Sequence, residues 1–203
     1  MGYSVYIPLG IQLGLELIKL ENVLSYEYHS AILNAVQGEL FTWNLIRDVA
    51  SSGNAREDIT EYAFRHKLWW NNNKISEWSD LFYPLITICE KALNAQIVCI
   101  PKVFMNLNMN YGLQNKNMAH CDGFMDLETD TLKRYTGVYY LNDSDGDTLF
   151  YDSDGTTIVE TNAPKANTMV IFPSGLLHSR QLPLEHNTRL VLNINVLVDL
   201  SIN

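Results

Sequence analysis

The sequence predicts a mainly β protein, a sandwich or barrel of short strands buttressed by N-terminal helices. Apolar and polar residues alternate from about residue 97 onward, whereas apolar spacings of three and four precede that point. Asn, Asp and Gly clusters separate the alternating segments as turns would. With 203 residues and no repeat or linker, we expect one domain over 1–203, mostly helical over 1–96 with a β core over 97–198.

Two segments of the first half, 12–50 and 74–95, carry helix-like spacing. The second has a stripe of apolar residues that would pack on a sheet, made of Ile75, Trp78, Leu81, Phe82, Leu85, Ile88 and Cys89. All four tryptophans also lie in this half, and covering one face of a sheet explains them without a further function.

The second half contains a series of strand candidates. They are 103–108, Thr136–Asn142, Thr148–Tyr151, Thr157–Thr161, Met169–Phe172 and Arg189–Val198. The acidic clusters Asn142–Gly146 and Asp152–Gly155 do not fit the ligand spacing of an EF-hand calcium loop in either frame, so we interpret them as hairpin turns.

Net charge and cysteine content indicate which partners and which cellular compartment to expect. A net charge of −9 argues against binding a nucleic-acid backbone. The three cysteines form no CxxC pair, which favours free thiols in a reducing compartment. We see no secretory signal and no apolar run near the ~20 residues that span a bilayer, so we expect a cytoplasmic protein without a membrane partner.

Three residues have the pattern of a metal site. His120 and Asp122 are two residues apart, so on a strand both side chains project from one face and can reach one ion. His178 follows an apolar strand and a short turn. Two imidazoles and one carboxylate that leave coordination positions open suit non-haem iron(II) and oxygen chemistry. His29, His66 and His186 have no partner at such spacing, and we expect them to be surface or packing residues.

Arg189 opens an alternating strand 11 residues after His178. Strand parity puts it on one face with Val191, Asn193 and Asn195, inside the β unit, while the apolar residues of that strand face the helices. A buried guanidinium is costly unless an anion pairs with it, and a dicarboxylate cosubstrate supplies such a charge. Thr136 and Tyr140 share one face of their own strand, so their hydroxyls are candidates to reach the same carboxylate.

Together these residues resemble a known family. His120-x-Asp122, Tyr135–Asn142, Gly146–Thr148, Pro164-Lys165, Val170–Pro173, His178 and Arg189 occur in the order typical of 2-oxoglutarate/iron(II) oxygenases. The chain is most similar to the prolyl-4-hydroxylase-like branch, and within it to the compact members encoded by tailed phages. The resemblance covers about residues 97–198.

The resemblance implies a double-stranded β-helix (jelly-roll) fold and an oxygenase activity. Iron(II) would be bound by His120, Asp122 and His178, with 2-oxoglutarate and O2 as cosubstrates and succinate as a product. Arg189 would bind the distal carboxylate of 2-oxoglutarate, supported by Tyr140 and Thr136.

Three positions depart from the pattern of this family. Asn108 aligns with a cosubstrate-binding tyrosine of prolyl-hydroxylase relatives, with Tyr111 nearby. Val191 stands where many members have the serine of Arg-x-Ser, and Asn195 stands where some relatives have tryptophan. These changes reshape the pocket and leave the metal set intact, so Asn108 joins the candidate cosubstrate residues.

The substrate is the least determined part of the prediction. We favour hydroxylation of a prolyl residue in a protein or peptide; the alternatives are a free amino acid or other small molecule, or a non-catalytic jelly-roll binding protein. Nucleic-acid demethylases of this superfamily carry a second arginine where Asn195 stands, and halogenases lack the carboxylate of Asp122. The segment Gly123–Arg134 is a candidate lid over the site.

Overall fold

The structure is a computed structural model that describes residues 5–6, 17–47, 62–112, 116, 118–122 and 128–201. Within these residues the chain forms twelve strands and two helices. In chain order they are β1 (Val5–Tyr6), β2 (Ile18–Glu21), α1 (Tyr26–Gln37), β3 (Asn44–Arg47), β4 (Tyr62–Trp70), β5 (Asn73–Lys74), α2 (Ser79–Leu93), β6 (Gln96–Met109), β7 (Leu132–Tyr140), β8 (Thr148–Tyr151), β9 (Ile158–Asn162), β10 (Thr168–Pro173), β11 (His178–Arg180) and β12 (Thr188–Asp199).

The strands form two antiparallel sheets. The large sheet has the order β1-β2-β10-β7-β12-β6-β4-β3, with β5 attached to β4, and the small sheet has the order β11-β8-β9. The long strands β6 and β12 pair over almost their whole length at the centre of the large sheet. The result is the mainly β jelly-roll fold that the sequence predicts.

The two faces of β12 separate the hydrophobic core from a cavity. Leu190, Leu192, Ile194 and Val196 belong to the main core, which includes apolar residues of both helices. Arg189, Val191, Asn193 and Asn195 face the opposite side and line a cavity between the sheets. Because side chains alternate along a strand, one run of residues serves both purposes.

The first half is less helical than predicted in the part that the structure describes. Helix α1 covers only 26–37 of the predicted range 12–50, and β2 and β3 occupy parts of the same range. Strand β4 is a further departure from the mostly helical 1–96, since its residues pair with β6 and extend the large sheet. Pairing with a neighbouring strand outweighs local helical spacing here.

Both helices have identifiable ends. Ser25 caps α1, its hydroxyl accepting a hydrogen bond from the Tyr28 backbone N–H at 3.3 Å. Helix α2 lies within the predicted range 74–95 and buries Phe82, Leu85 and Cys89 against the sheet. It ends where Asn94 adopts a left-handed conformation (φ 47°). Neither helix of the described chain is long and apolar enough to cross a membrane.

The cluster Asp152–Gly155 forms the predicted hairpin turn between β8 and β9, whereas Asn142–Gly146 is a loop that connects β7 of the large sheet to β8 of the small sheet. The Asp145 carboxylate accepts backbone hydrogen bonds from Leu184, Glu185 and His186 at 2.8–3.1 Å. The Asp154 carboxylate accepts hydrogen bonds from the next residues of its own turn. Their oxygens therefore stabilise loops, and neither cluster forms a group of metal-ligand geometry among the described residues.

Candidate active site

Three side chains converge at one end of the cavity. His120 and His178 form an isolated antiparallel bridge, in which each backbone N–H donates to the other's carbonyl at 2.9 Å. This bridge brings the two imidazoles together, with ring centroids 4.6 Å apart. Asp122 lies two residues after His120, and one ligand atom of each of the three side chains lies within 4.8 Å of the others. This is the only such group in the described part of the chain.

Backbone carbonyls orient both imidazoles for metal binding. The Nδ1 atom of His178 lies 2.8 Å from the carbonyl oxygen of Leu176, and that of His120 lies 3.1 Å from the carbonyl of Met118. Because a carbonyl can only accept, each Nδ1 carries the proton and each Nε2 keeps a lone pair. Hydrogen bonds of this kind hold metal-binding histidines in one tautomer and one orientation.

The Asp122 carboxylate has a dense set of hydrogen-bond donors. Its Oδ1 accepts from the Lys102 ammonium at 2.9 Å, and its Oδ2 accepts from the Thr136 hydroxyl at 3.1 Å and the Asn195 amide at 3.0 Å. Burial by itself would raise the pKa of Asp122, but the Lys102 ammonium and the Asn195 amide outweigh burial and hold the pKa well below its usual value. The carboxylate is therefore ionised, the form that binds a cation.

Burial also favours the neutral form of His178. Desolvation lowers the pKa of this imidazole, with an opposing contribution from the Asp122 charge. The neutral imidazole is the form that binds a metal ion. Two imidazoles with one ionised carboxylate fit iron(II), and the open positions of a facial triad leave room for a cosubstrate.

Arg189 lies in a second polar region of the same cavity. Its side chain is 3% exposed, its Nε donates to the Gly146 carbonyl at 2.6 Å, and one terminal nitrogen donates to the Thr148 hydroxyl at 2.9 Å. The guanidinium also lies 5.7 Å from the centre of the Tyr140 ring. Burial lowers the pKa of Arg189, although Tyr140 and Asp147 favour the charged form. An anion in the cavity would offset this cost of burial.

Asn108 faces Arg189 across the β6–β12 pair and lines the cavity. The residue is fully buried, yet neither its amide nitrogen nor its amide oxygen has a hydrogen-bond partner within the described chain. A buried polar group without a partner is costly, so this amide is expected to bind something that enters the cavity. A carboxylate held by Arg189 could accept from its N–H.

Tyr140 lies near Arg189, whereas Thr136 lies near Asp122. The Tyr140 hydroxyl contacts the Thr148 hydroxyl at 2.7 Å, so it supports Arg189 through Thr148. Thr136 is opposite Asn195 in the β7–β12 register, and its hydroxyl contacts Asp122 rather than Arg189. Arg189 and Asn195 are six positions apart on β12, about 20 Å at ~3.3 Å per residue. The structure thus puts Thr136 beside the metal triad, away from the predicted cosubstrate carboxylate.

Several residues of the cavity had no role assigned from sequence. Lys102 and Thr148 contact Asp122 and Arg189, respectively, and Arg65 and Arg180 also line the cavity. The alternation of β6 could have assigned Lys102 to the polar face, but its contact with Asp122 depends on the fold. Part of the predicted lid, residues 123–127, lies outside the described residues.

The other histidines have structural partners, as expected. His29 is buried against the Tyr139 hydroxyl at 2.6 Å, and His66 contacts the carbonyl of Thr42 and the hydroxyl of Ser76. His186 lies at the surface beside Asp145. None of them belongs to the group of metal-ligand geometry.

Part of the chain that contains the three triad residues matches a known protein family. Residues 106–197, which run from the last residues of β6 into β12 and include all three triad residues, match the family model described as the 2OG-Fe(II) oxygenase superfamily. The match covers 92 of the 203 residues, and over that part the chain is similar to this superfamily. The superfamily uses iron(II), 2-oxoglutarate and O2, and the His120, Asp122 and His178 group is the donor set that such chemistry requires. Curated protein sequences gave no match to the chain.

Several solved structures of enzymes share the fold of this chain. The epimerase SnoN from nogalamycin biosynthesis aligns with a TM-score of 0.62 at 13% identity, covering 89% of this chain and 76% of SnoN. A Pseudomonas putida prolyl-4-hydroxylase aligns at 0.55 and 18%, covering 91% and 93%. The viral collagen prolyl hydroxylase of Paramecium Bursaria Chlorella virus-1 aligns at 0.55 and 15%, covering 94% and 99%. These similarities establish the jelly-roll fold and leave the substrate undetermined.

Proposed function

We propose that the chain is a 2-oxoglutarate- and iron(II)-dependent dioxygenase that hydroxylates a prolyl residue in a protein or peptide, releasing succinate and CO2. The observation that carries the proposal is one cavity of about 450 Å³ lined by both the His120, Asp122 and His178 group and the buried Arg189. That volume is within the range of small-molecule sites, roughly 300–1,000 Å³. Iron(II), when bound, supplies the redox chemistry that activates dioxygen.

The residues at the triad would bind and orient the metal. His120 and His178 would use their Nε2 atoms, because each Nδ1 donates to a backbone carbonyl. Asp122 would supply its ionised carboxylate, which Thr136 and Asn195 orient by hydrogen bonds. The Lys102 ammonium, which also donates to this carboxylate, would compete with the metal for it.

The residues around Arg189 would bind the cosubstrate. The guanidinium would pair with the distal carboxylate of 2-oxoglutarate, while Gly146 and Thr148 keep it in place. Asn108 would donate to the same carboxylate from the neighbouring strand, and Tyr140 would act through Thr148.

The prolyl substrate rests on resemblance to the prolyl-4-hydroxylase-like branch and its compact phage-encoded members. The fold shared with two prolyl hydroxylases supports this assignment. A free amino acid or another small molecule is the second candidate, supported by the fold shared with SnoN, an enzyme of nogalamycin biosynthesis. A phage-type origin and a cytoplasmic location are part of the same proposal, and the net charge of −9 supports a partner other than nucleic acid.

The test is cosubstrate turnover by the purified protein. Iron(II), 2-oxoglutarate and O2 are supplied with a panel of Pro-rich peptides and with free proline, and both succinate and gain of one oxygen atom are measured. We expect succinate from the parent protein and from the control His186→Gln, and none from Asp122→Ala. Equal succinate from the parent and Asp122→Ala would contradict the proposal. Oxygen gain by free proline alone would favour the second candidate.

A further inference from the structure

The cavity is more positive than its cofactor and cosubstrate require. Four cationic side chains line it, those of Arg65, Lys102, Arg180 and Arg189, and Asp122 is the only carboxylate among the lining residues that the structure describes. Iron(II) and the 2-oxoglutarate dianion cancel each other's charge. The loaded cavity therefore keeps three positive charges, inside a chain whose net charge is −9. An excess of this kind attracts anions.

Two of these cations, Arg65 and Arg180, have no role in the proposed metal and cosubstrate sites. Lys102 is paired with Asp122, and Asp147 lies close enough to Arg189 to favour its charged form. Arg65 lies on β4, which is two strands from β12 in the large sheet, roughly 10 Å at ~4.8 Å per strand. It is therefore well placed to contact a molecule that lies beside the cosubstrate.

Arg65 lines the cavity and is held there by two neighbouring side chains. Its Nε donates to the Asn106 amide oxygen at 2.8 Å, and its guanidinium lies 4.8 Å from the centre of the Phe104 ring. Both neighbours are themselves buried and line the cavity. A guanidinium held through Nε and one face can still bind a carboxylate with its two terminal N–H groups.

An aromatic surface continues from Phe104 toward solvent. Trp70 stacks on Phe104 at 5.7 Å and 12° and is 45% exposed, and the Lys67 ammonium lies 5.3 Å from the Trp70 ring centre. These residues form an apolar wall next to cations, a surface that suits a molecule with an apolar part and an anionic group.

We propose that the substrate oxidised in this cavity carries a carboxylate that Arg65 binds, with Phe104 against the adjacent apolar part of the substrate. The inference rests on the proposed function, because it concerns the substrate of the same site. The carboxylate has two possible sources: the α-carboxylate of a free amino acid, or an acidic side chain next to the target residue of a peptide.

The test compares carboxylate probes with their neutral amides. A Glu-Pro peptide is paired with the same peptide carrying Gln-Pro, and free L-proline is paired with L-prolinamide. Binding to the manganese- and 2-oxoglutarate-loaded protein is measured by anaerobic calorimetry, so the readout does not depend on turnover. We expect the carboxylate member of one pair to bind about tenfold tighter than its amide. The pair that shows this difference identifies the source.

The variants assign the preference to Arg65. Arg65→Gln should abolish the preference for the carboxylate probe over its amide, and Arg65→Lys should keep part of that preference. Lys165→Gln removes one positive charge from an exposed ion pair and should leave the preference unchanged. The affinity for 2-oxoglutarate should be unchanged in all three. Two results would overturn the proposal: no preference for either carboxylate probe in the parent, or an undiminished preference in Arg65→Gln. Failure of the parent to bind 2-oxoglutarate would instead contradict the proposed function.

Discussion

Replacement of Arg189 by methionine is the most informative change in the cosubstrate region. Methionine keeps the approximate length of the side chain and removes the charge and the donors to Gly146 and Thr148. Losing one partner of a poorly solvated, hydrogen-bonded charge pair costs ~2–5 kcal/mol. At 1.4 kcal/mol per factor of ten, we expect 2-oxoglutarate to bind about 30-fold to several thousand-fold more weakly.

The fold should survive this substitution. A buried guanidinium contributes little net stability, because desolvation offsets its interactions, and an apolar side chain of similar volume can replace it. Iron(II) affinity should change little, since Arg189 is about 20 Å along the strand from Asn195, the β12 residue that contacts Asp122, at ~3.3 Å per residue. Arg189→Lys should be intermediate, because an ammonium keeps the charge without the planar fork.

The assay is anaerobic titration of 2-oxoglutarate into the manganese-loaded parent, Arg189→Met and Arg189→Lys. Lys165→Met serves as the control, since it removes one positive charge from an exposed ion pair. Equal affinity in the parent and Arg189→Met would refute the reasoning. The distal carboxylate would then lie elsewhere, and Arg65 and Arg180 would be the next cations to test.

Three further predictions concern neighbouring features. Gly146→Ala should weaken 2-oxoglutarate binding and cost ~1–3 kcal/mol of stability, because a Cβ there would lie 2.7 Å from the Gln181 carbonyl oxygen and 3.0 Å from Arg189; unchanged titration and chemical denaturation curves would contradict this. Lys102→Met should tighten manganese binding, because the Lys102 ammonium competes with the metal for Asp122. An ion pair worth roughly 1 kcal/mol corresponds to about fivefold in affinity. Weaker manganese binding in this variant would show that Lys102 supports the carboxylate instead. Burial raises the pKa of Cys89 to about 12, so at pH 8 it stays a thiol and should resist alkylation in the native protein, whereas labelling followed by mass spectrometry should find it modified after unfolding.

The polar face of the β core could be predicted from sequence because strand alternation is local. Asn108 on β6 and Arg189 on β12 both face the cavity, as their parity indicates. Alternation says which face a side chain takes, but the register between strands decides where it lies. Thr136 illustrates the difference: its face was predicted, but pairing with Asn195 puts it beside Asp122 instead of Arg189.

Contacts between segments that are far apart in the chain could not be predicted from the sequence. Lys102 and Asp122 meet because β6 and the segment after His120 line the same cavity, which no local spacing indicates. Strand β4 escaped prediction for a related reason. Its residues become a strand by pairing with β6, so the first half contributes to the large sheet as well as to the helices.

Metal binding by the three predicted ligands tests the central claim most directly. Iron(II) or manganese(II) is titrated anaerobically into the parent, His120→Ala, Asp122→Ala and His178→Ala, with circular dichroism to verify the fold. We predict one tightly bound ion per parent chain and sharply reduced affinity in each of the three variants. His186→Gln should keep the parent's stoichiometry and affinity, because its side chain lies at the surface beside Asp145. Unchanged metal affinity in all three alanine variants would contradict the account.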